Sequence, residues 1–293
     1  MQAFLRSDLA AECDVSGEAA GVWTDEREAG GCRIFSVQVR DEAAARRVGK
    51  PAGRYVTLTC GDVTEMDEAT AARVRCALAV EVRDMAARMA GKSIGPGFRV
   101  LVAGLGNGRL AADAVGPETV GRLSVTRHIR RQNGALFSTL GLCEIAAVCP
   151  GVTGQTGMET VEVVRGAAEN VRPDVVVAVD ALAAREVTRL CGTVQLSDTG
   201  IHPGSGVGNS RKALNAETVG FPVLGLGVPT VVESATLVAD AMKKAGVAPD
   251  EATLTRALRG GRGYFVAPGQ IDLLVPAAAT LIAAALEKAF SVI

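Results

Sequence analysis

Short apolar runs alternate along this chain with longer segments whose apolar residues recur every three or four positions, and that rhythm predicts the elements. Cys32–Val39 (CRIFSVQV) and Tyr55–Cys60 (YVTLTC) have the β-branched and aromatic content of strands. Between them Asp41–Val48 reads as a short helix, stopped by Gly49, Pro51 and Gly53. Across Met66–Met89 the residues Val74, Leu78, Val82 and Met85 share one stripe, which predicts a long helix ended by Gly91, Gly95, Pro96 and Gly97. From Arg99 onward, Arg99–Leu105, Glu144–Val148, Val175–Val179 and Pro222–Leu226 read as buried strands. Helices are expected at Thr156–Asn170, Ala181–Leu190 and Thr230–Ala245. Such alternation predicts an α/β fold: a mostly parallel sheet with helices on both faces, plus smaller N-terminal β/α elements.

Three stretches follow from this pattern. Residues 1–30 are polar and mixed, and read as a loosely structured leader. Residues 31–97 hold the N-terminal β/α elements, and 98–293 the main α/β core, the two forming one compact unit. Gly260–Pro268 reads as a loop and Ala277–Phe290 as a closing helix. The most apolar stretch, Leu273–Leu286, is interrupted by Pro276 and falls short of the roughly 18 residues of a membrane span, so it is expected to be a buried helix.

Composition narrows the function classes. Of 293 residues 48% are hydrophobic and only 3% aromatic, so the core must be built mainly from Ala, Val, Leu and Ile, and the scarcity argues against aromatic base-stacking or sugar-binding surfaces. Thirty-one basic against 32 acidic side chains leave a net charge of −1, which argues against nucleic acid or an anionic membrane as a partner. The seven cysteines show no C-x-x-C spacing, and the first residues, MQAFLRSDLAAECD, have no apolar core and carry acids early, so they are not expected to be a signal peptide. A cytoplasmic protein with reduced thiols is the expectation.

Three groups of residues could carry chemistry. Gly104-Leu105-Gly106-Asn107-Gly108 follows a strand as a dinucleotide loop would, but the third fingerprint glycine is replaced by Arg109, and a tight turn alone asks for glycine. Asp113, in AADAVGP, and Asp180, at the end of VVVAVD, lie where parallel strands open onto a crevice. Each alone could be an ordinary helix N-cap; together they could share a proton as an acid/base pair. The glycine-dense stretch Ser197–Asn209 contains Asp198, His202, Gly204 and Gly206, and suggests a loop whose amides approach a substrate carbonyl. Ser205 fails the nucleophile-elbow pattern, since Pro203 and Val207 stand where glycines are needed. His202 is open to a structural, basic or ligating role; with only two histidines, any metal site would have to be mixed, as Asp113/Asp180/His202.

These motifs carry a resemblance. VLVAGLGN (100–107), DAVGP (113–117), VTRHI (125–129), PGVTGQTGMET (150–160), VDALAAR (179–185), SDTGIHPGSGVGN (197–209) and GVPTVV (227–232) resemble the germination protease family of endospore-forming bacteria, supported by GKPAGRYVTLT at 49–59. The resemblance implies a fold similar to hydrogenase-maturation endopeptidases and an endopeptidase that degrades small acid-soluble spore proteins during germination, located in the forespore or spore core. It implies a homotetramer made as a zymogen and an atypical aspartic mechanism on Asp113 and Asp180; no cofactor or metal is expected. Asn107 and the amides around Gly204 and Gly206 are expected to bond the developing oxyanion, with Asp198 and His202 in support. The alternatives are a metal-dependent maturation-type peptidase and a non-catalytic nucleotide-binding α/β protein.

The leader adds one expectation. Ser7-Asp8-Leu9-Ala10-Ala11-Glu12 resembles the acidic–apolar–small–small–acidic motif at which the family cuts its substrates and itself. Cleavage is expected between Asp8 and Leu9, in an exposed and flexible stretch.

Overall fold

The structure, a computed structural model, describes residues 7–13, 21–202, 212–247 and 263–290. Among these residues the core is one nine-stranded sheet. Its strands are β1 (Val22–Ala29), β2 (Cys32–Val39), β3 (Gly53–Thr59), β4 (Arg99–Gly104), β5 (Glu144–Val148), β6 (Val175–Ala184), β7 (Thr193–Ser197), β8 (Val223–Glu233) and β9 (Phe265–Val266). The order is β1-β2-β3-β7-β8-β6-β4-β5, with β9 on the end of β8. The expected α/β fold is present, with β5, β4, β6 and β8 as a parallel block. An antiparallel wing continues from β8 through β7, β3 and β2 to β1. The sheet therefore runs unbroken across the boundary between 31–97 and the main core.

The helices are α1 (Glu42–Val48), α2 (Glu68–Ala90), α3 (Val115–Arg122), α4 (Arg127–Gln132), α5 (Gly134–Leu140), α6 (Thr153–Thr156), α7 (Thr160–Val171), α8 (Ala216–Val219), α9 (Ser234–Lys244) and α10 (Ile271–Phe290). Burial sorts them by sheet face. Val175, Val177 and Val179 of β6 join one cluster with residues of α2, α3 and α10, while Val176 and Ala178 join another with α7 and Val219 of α8. Helix α10 is long and apolar enough to cross a bilayer, but Val275, Ile282 and Leu286 are buried in the first cluster, as expected of a core helix.

Several expectations need correction. The described part of the leader is ordered: Val22–Ala29 forms an antiparallel hairpin with β2, turned by Gly30 and Gly31 at φ 61° and 81°. Both central residues lie in the left-handed region that such two-residue turns demand. The strand escaped notice because Asp25, Glu26, Arg27 and Glu28 sit on a sheet edge, where charge is tolerated. Ala181–Leu190 is not a helix. Its helix-favouring Ala181–Ala184 extends β6, paired with Val228 through Val232 of β8, so tertiary pairing overrides propensity. Thr230–Glu233 likewise belongs to β8, and the helix starts at Ser234. Thr156–Asn170 divides into α6 and α7. Cys32 and Cys60, distant in sequence, face each other across β2 and β3 with their sulfurs 3.0 Å apart.

Candidate active site

The site lies where β4 ends and β6 continues alone. Gly104 is the last residue of β4 to pair, with Val179, so Asp180 is the first residue of β6 beyond it. Asp180 is therefore not at a strand end and caps no helix. It is 5% exposed inside β6, and the Ala181 N–H donates to its Oδ1 at 2.9 Å. By the alternation of β6, its side chain lies on the face of Val176 and Ala178.

The chain leaving β4 folds back over this point. Leu105 N–H donates to Val179 O at 2.8 Å, anchoring the loop to the residue before Asp180. Gly106 then takes φ 106°, and a Cβ there would strike the Asp113 carbonyl. This close approach lets Asn107 N–H donate to Asp113 Oδ2 at 2.8 Å. Asp113 ends a 3₁₀ turn (Ala111–Asp113), and α3 follows with Ala114 at its N-cap and no side-chain cap. The simple capping role thus fails for both aspartates. The glycine loop also loses its nucleotide reading, because the Leu105 and Asn107 amides a phosphate would need are already bonded.

A second anchor was not foreseen. In β8 the register against β6 slips, Leu182 facing Pro229 and Ala183 facing Val231, so Thr230 is the extra residue of a bulge. Its fully buried hydroxyl donates to Ala112 O at 2.6 Å, fixing the residue before Asp113. Gly116 of α3 packs so tightly on Leu105 and Val179 that any Cβ would meet their backbone atoms. The sheet-side and loop-side aspartates are thereby tied to one end of the parallel block.

Segment 7–13 sits beside them, contrary to the expected exposed stretch. Leu9 and Ala10 have no exposed surface. Asp8 N–H donates to Ala183 O at 2.9 Å, and Ala183 N–H to Asp8 Oδ2 at 2.9 Å, so the segment lines the edge of β6 that β4 leaves open. The Asp8 carbonyl accepts from Lys50 Nζ and Gln195 Nε2, each at 3.0 Å, while Ala10 N–H donates to Gln195 Oε1 at 2.6 Å. The Gln195 amide therefore spans the Asp8–Leu9 peptide. Register relates this to Asp180: Asp180 and Gln195 both face Gly227, one from each side. They share a row and a face of the sheet, two strand spacings or about 10 Å apart at Cα. Leu9 fills a pocket of Leu182, Ala184 and Val232.

The remaining predicted residues divide. Asn107 Oδ1 accepts from Gln155 Nε2 and Arg109 N–H, each at 3.0 Å, so it braces the loop. Asp198 Oδ1 accepts from Arg54 N–H at 2.7 Å, joining β3 to the end of β7; burial, its largest influence, pushes its carboxyl up. Tyr55, pushed up to about 12 chiefly by burial, takes a bond from Thr199 next to it. His202 follows Ile201, whose backbone pairs with Leu214. Burial and then the Lys50 ammonium push its imidazole down, and the Asp8 carboxylate opposes them. Gly204 and Gly206 lie outside the described residues. Among the described residues no three of His, Cys, Asp and Glu come together as a metal site, so Asp113, Asp180 and His202 do not form the mixed site considered above. Lys50, Gln195 and Thr230 were missed; a lone glutamine in the wholly buried β7 was the available signal.

A family model described as germination protease matches residues 4–245. The germination protease of Bacillus subtilis is 40% identical over 248 residues, covering 82% of this chain and 66% of its own length. That of Clostridium perfringens is 40% identical over 210 residues, covering 72% and 62%. The chain thus spans less than two thirds of the length of these relatives. Among solved structures, a [NiFe] hydrogenase maturation protease, HycI, from Thermococcus kodakarensis aligns with a TM-score of 0.35 at 18% identity, over 70% of this chain and 98% of that one.

Proposed function

The chain belongs to the germination protease family, and on that premise we propose that it is an endopeptidase that degrades small acid-soluble spore proteins during germination, acting through the carboxyl pair Asp113 and Asp180. One carboxylate takes a proton from water as the water oxygen bonds to the scissile carbonyl carbon. The protonated partner delivers its proton to the amide nitrogen as the C–N bond breaks. Two donors from separate elements, Lys50 Nζ and Gln195 Nε2, suit the negative charge that develops on the carbonyl oxygen.

The observation that carries this reading is the seating of the Asp8–Leu9 bond. Its carbonyl lies under those two donors, and Gln195 shares its sheet row with Asp180. We read this as a self-processing position, with the enzyme made as a zymogen and cut between Asp8 and Leu9. The test is cleavage of a purified small acid-soluble spore protein, with N-terminal analysis of the enzyme itself. Wild-type chain should cut and come to begin at Leu9, whereas Asp113→Asn and Asp180→Asn should fold, retain residues 1–8 and lose at least about a thousandfold in rate. Near wild-type turnover by either variant would refute the pair, and a fully active chain still beginning at Met1 would refute the processing. Assembly as a homotetramer is part of the same proposal; a monomer in sedimentation at micromolar concentration would remove it.

A further inference from the structure

Two cysteines that the peptidase reading does not use are built against each other. Cys32 opens β2 and Cys60 follows β3, one step past the Arg33–Thr59 pair, so they lie directly opposite. Their main chains point apart. Cys60 N–H donates to Gly192 O at 2.8 Å on the β7 side, and Cys32 closes the two-residue turn against Ala29 of β1. The two therefore form a non-hydrogen-bonded antiparallel pair, whose Cα atoms stand about 4.5 Å apart with both side chains on one face. That spacing lies inside the range of roughly 4.4–6.8 Å spanned by disulfides. Both are free thiols with their sulfurs 3.0 Å apart, so closing to bond length needs a movement of about 1 Å. Cys32 is buried in the cluster beneath α2, whereas Cys60 is half-buried at its edge and gives a small reagent access. The contact with Cys60 lowers the Cys32 thiol and outweighs the burial that raises it, which favours a thiolate in the pair.

We propose that Cys32 and Cys60 are a reversible oxidation site, a dithiol that a hydroperoxide converts to a cross-strand disulfide stapling β2 to β3. One thiolate attacks the outer oxygen of the hydroperoxide and the O–O bond breaks, leaving a sulfenic acid. The alkoxide or hydroxide released takes up the proton that the thiol had lost. The second sulfur then attacks the sulfenic sulfur, the S–O bond breaks, and water leaves with the second thiol's proton. Two thiols thus give up two electrons and one peroxide is reduced. A facing thiol also traps the sulfenic acid before irreversible oxidation can follow. The pair is held in place from behind: Gly192 packs on Gly61 so closely that a Cβ would strike its carbonyl, which fixes the Cys60 end of β3 against β7. The bond closes the span of 28 positions that holds α1, and it ties the β1–β2 hairpin to β3. Since Thr57 of β3 faces Gln195 of β7, the staple braces the wing that backs Gln195.

The experiment treats the full folded chain briefly with hydrogen peroxide, blocks the remaining thiols with iodoacetamide and maps the peptides by mass. Cys32 and Cys60 should be recovered as one linked pair, lighter by two hydrogens than the two peptides together, and dithiothreitol should release them. The exposed Cys76 and Cys149 serve as internal controls and should stay outside any intramolecular link. The melting temperature of the oxidised chain should rise by about 5 °C and return on reduction, and Cys60→Ser should show no such rise. Should Cys60→Ser fail to fold, the mapping of the wild-type chain decides alone. Sulfinic acid at Cys60 with Cys32 still alkylated would overturn the proposal, as would links scattered among the seven cysteines. A specific link that leaves the melting temperature within about 1 °C would overturn the staple. None of these outcomes bears on the peptidase reading.

Discussion

Thr230→Val tests whether the bulge in β8 positions the loop that carries Asp113, one of the two carboxyls proposed above to act on the peptide bond. The two side chains have nearly the same shape, so packing is preserved while one hydrogen bond, Thr230 Oγ1 to Ala112 O at 2.6 Å, is removed. Thr230 is fully buried, while Ala112 is partly exposed, so solvent reaches the freed carbonyl only from the loop side. Losing such a hydrogen bond costs roughly 0.5–1.5 kcal/mol; taking about 1 kcal/mol, the melting temperature should fall by about 2 °C. The catalytic effect should be larger than that stability loss suggests. Ala112 directly precedes Asp113, and a displacement near 1 Å in a reacting group lowers rates by roughly a hundredfold. The assay pairs thermal unfolding with kcat on a peptide containing Asp-Leu-Ala-Ala-Glu, using Thr230→Ser as the control that keeps the hydroxyl. The expected outcome is a loss of about a hundredfold in kcat for Val and about threefold or less for Ser. A Val variant that melts lower but keeps kcat within about twofold would refute the positioning argument, since the bond would then support only the fold.

Gly116→Ala places a methyl against Leu105 N, Leu105 O and Val179 O, none of which can rotate away; a loss of about 3 kcal/mol or more is expected, and a melting temperature within about 1 °C of wild type would contradict it. Asp198 has its carboxyl pushed up by burial, so its contribution to stability is fully present below the unfolded value near 4 and is lost as pH rises through the folded value. The difference in melting temperature, Asp198→Asn minus wild type, should therefore grow as pH rises from about 4 to 7, and a flat difference would remove that assignment. Dialysis against a chelator should leave peptide cleavage unchanged, because no three potential ligands gather among the described residues; activity lost on chelation and restored by one metal would favour a metal mechanism.

What could be read from the sequence depended on whether a signal was local. β2 and β5 match their sequence expectations residue for residue because their apolar content and flanking residues are local properties. Ala181–Ala184 could not be read that way, since alanine favours helix and only β8, nearly fifty positions further along the chain, makes those residues a strand. The same distinction divides the site. Asp113 and Asp180 stand in recognisable motifs, and both proved to lie beside the end of β4. Lys50 and Gln195 belong to no motif of their own, and their role exists only through contacts 42 and 187 residues away in sequence.

β7 shows how near the signal came. In Thr193-Val194-Gln195-Leu196-Ser197 polar and apolar residues alternate strictly, so a strand with one polar face was legible. Its place was not, because a strand's partners are set by the whole sheet, and a one-residue change of register would turn every side chain to the other face. Only the observed pairing of Gln195 and Asp180 with Gly227 puts an amide and a carboxylate on one row. The glycine between them has its own requirement, for the space its missing side chain would occupy is filled by Leu182, which also lines the pocket of Leu9. A larger residue at Gly227 should therefore displace Leu182 first, releasing Leu9 before it disturbs either polar group. Gly227→Ala should accordingly speed amide exchange at Leu9 and Ala10 while β7 and β8 stay protected; unchanged exchange at Leu9 would break the link drawn here between the sheet row and the seated segment.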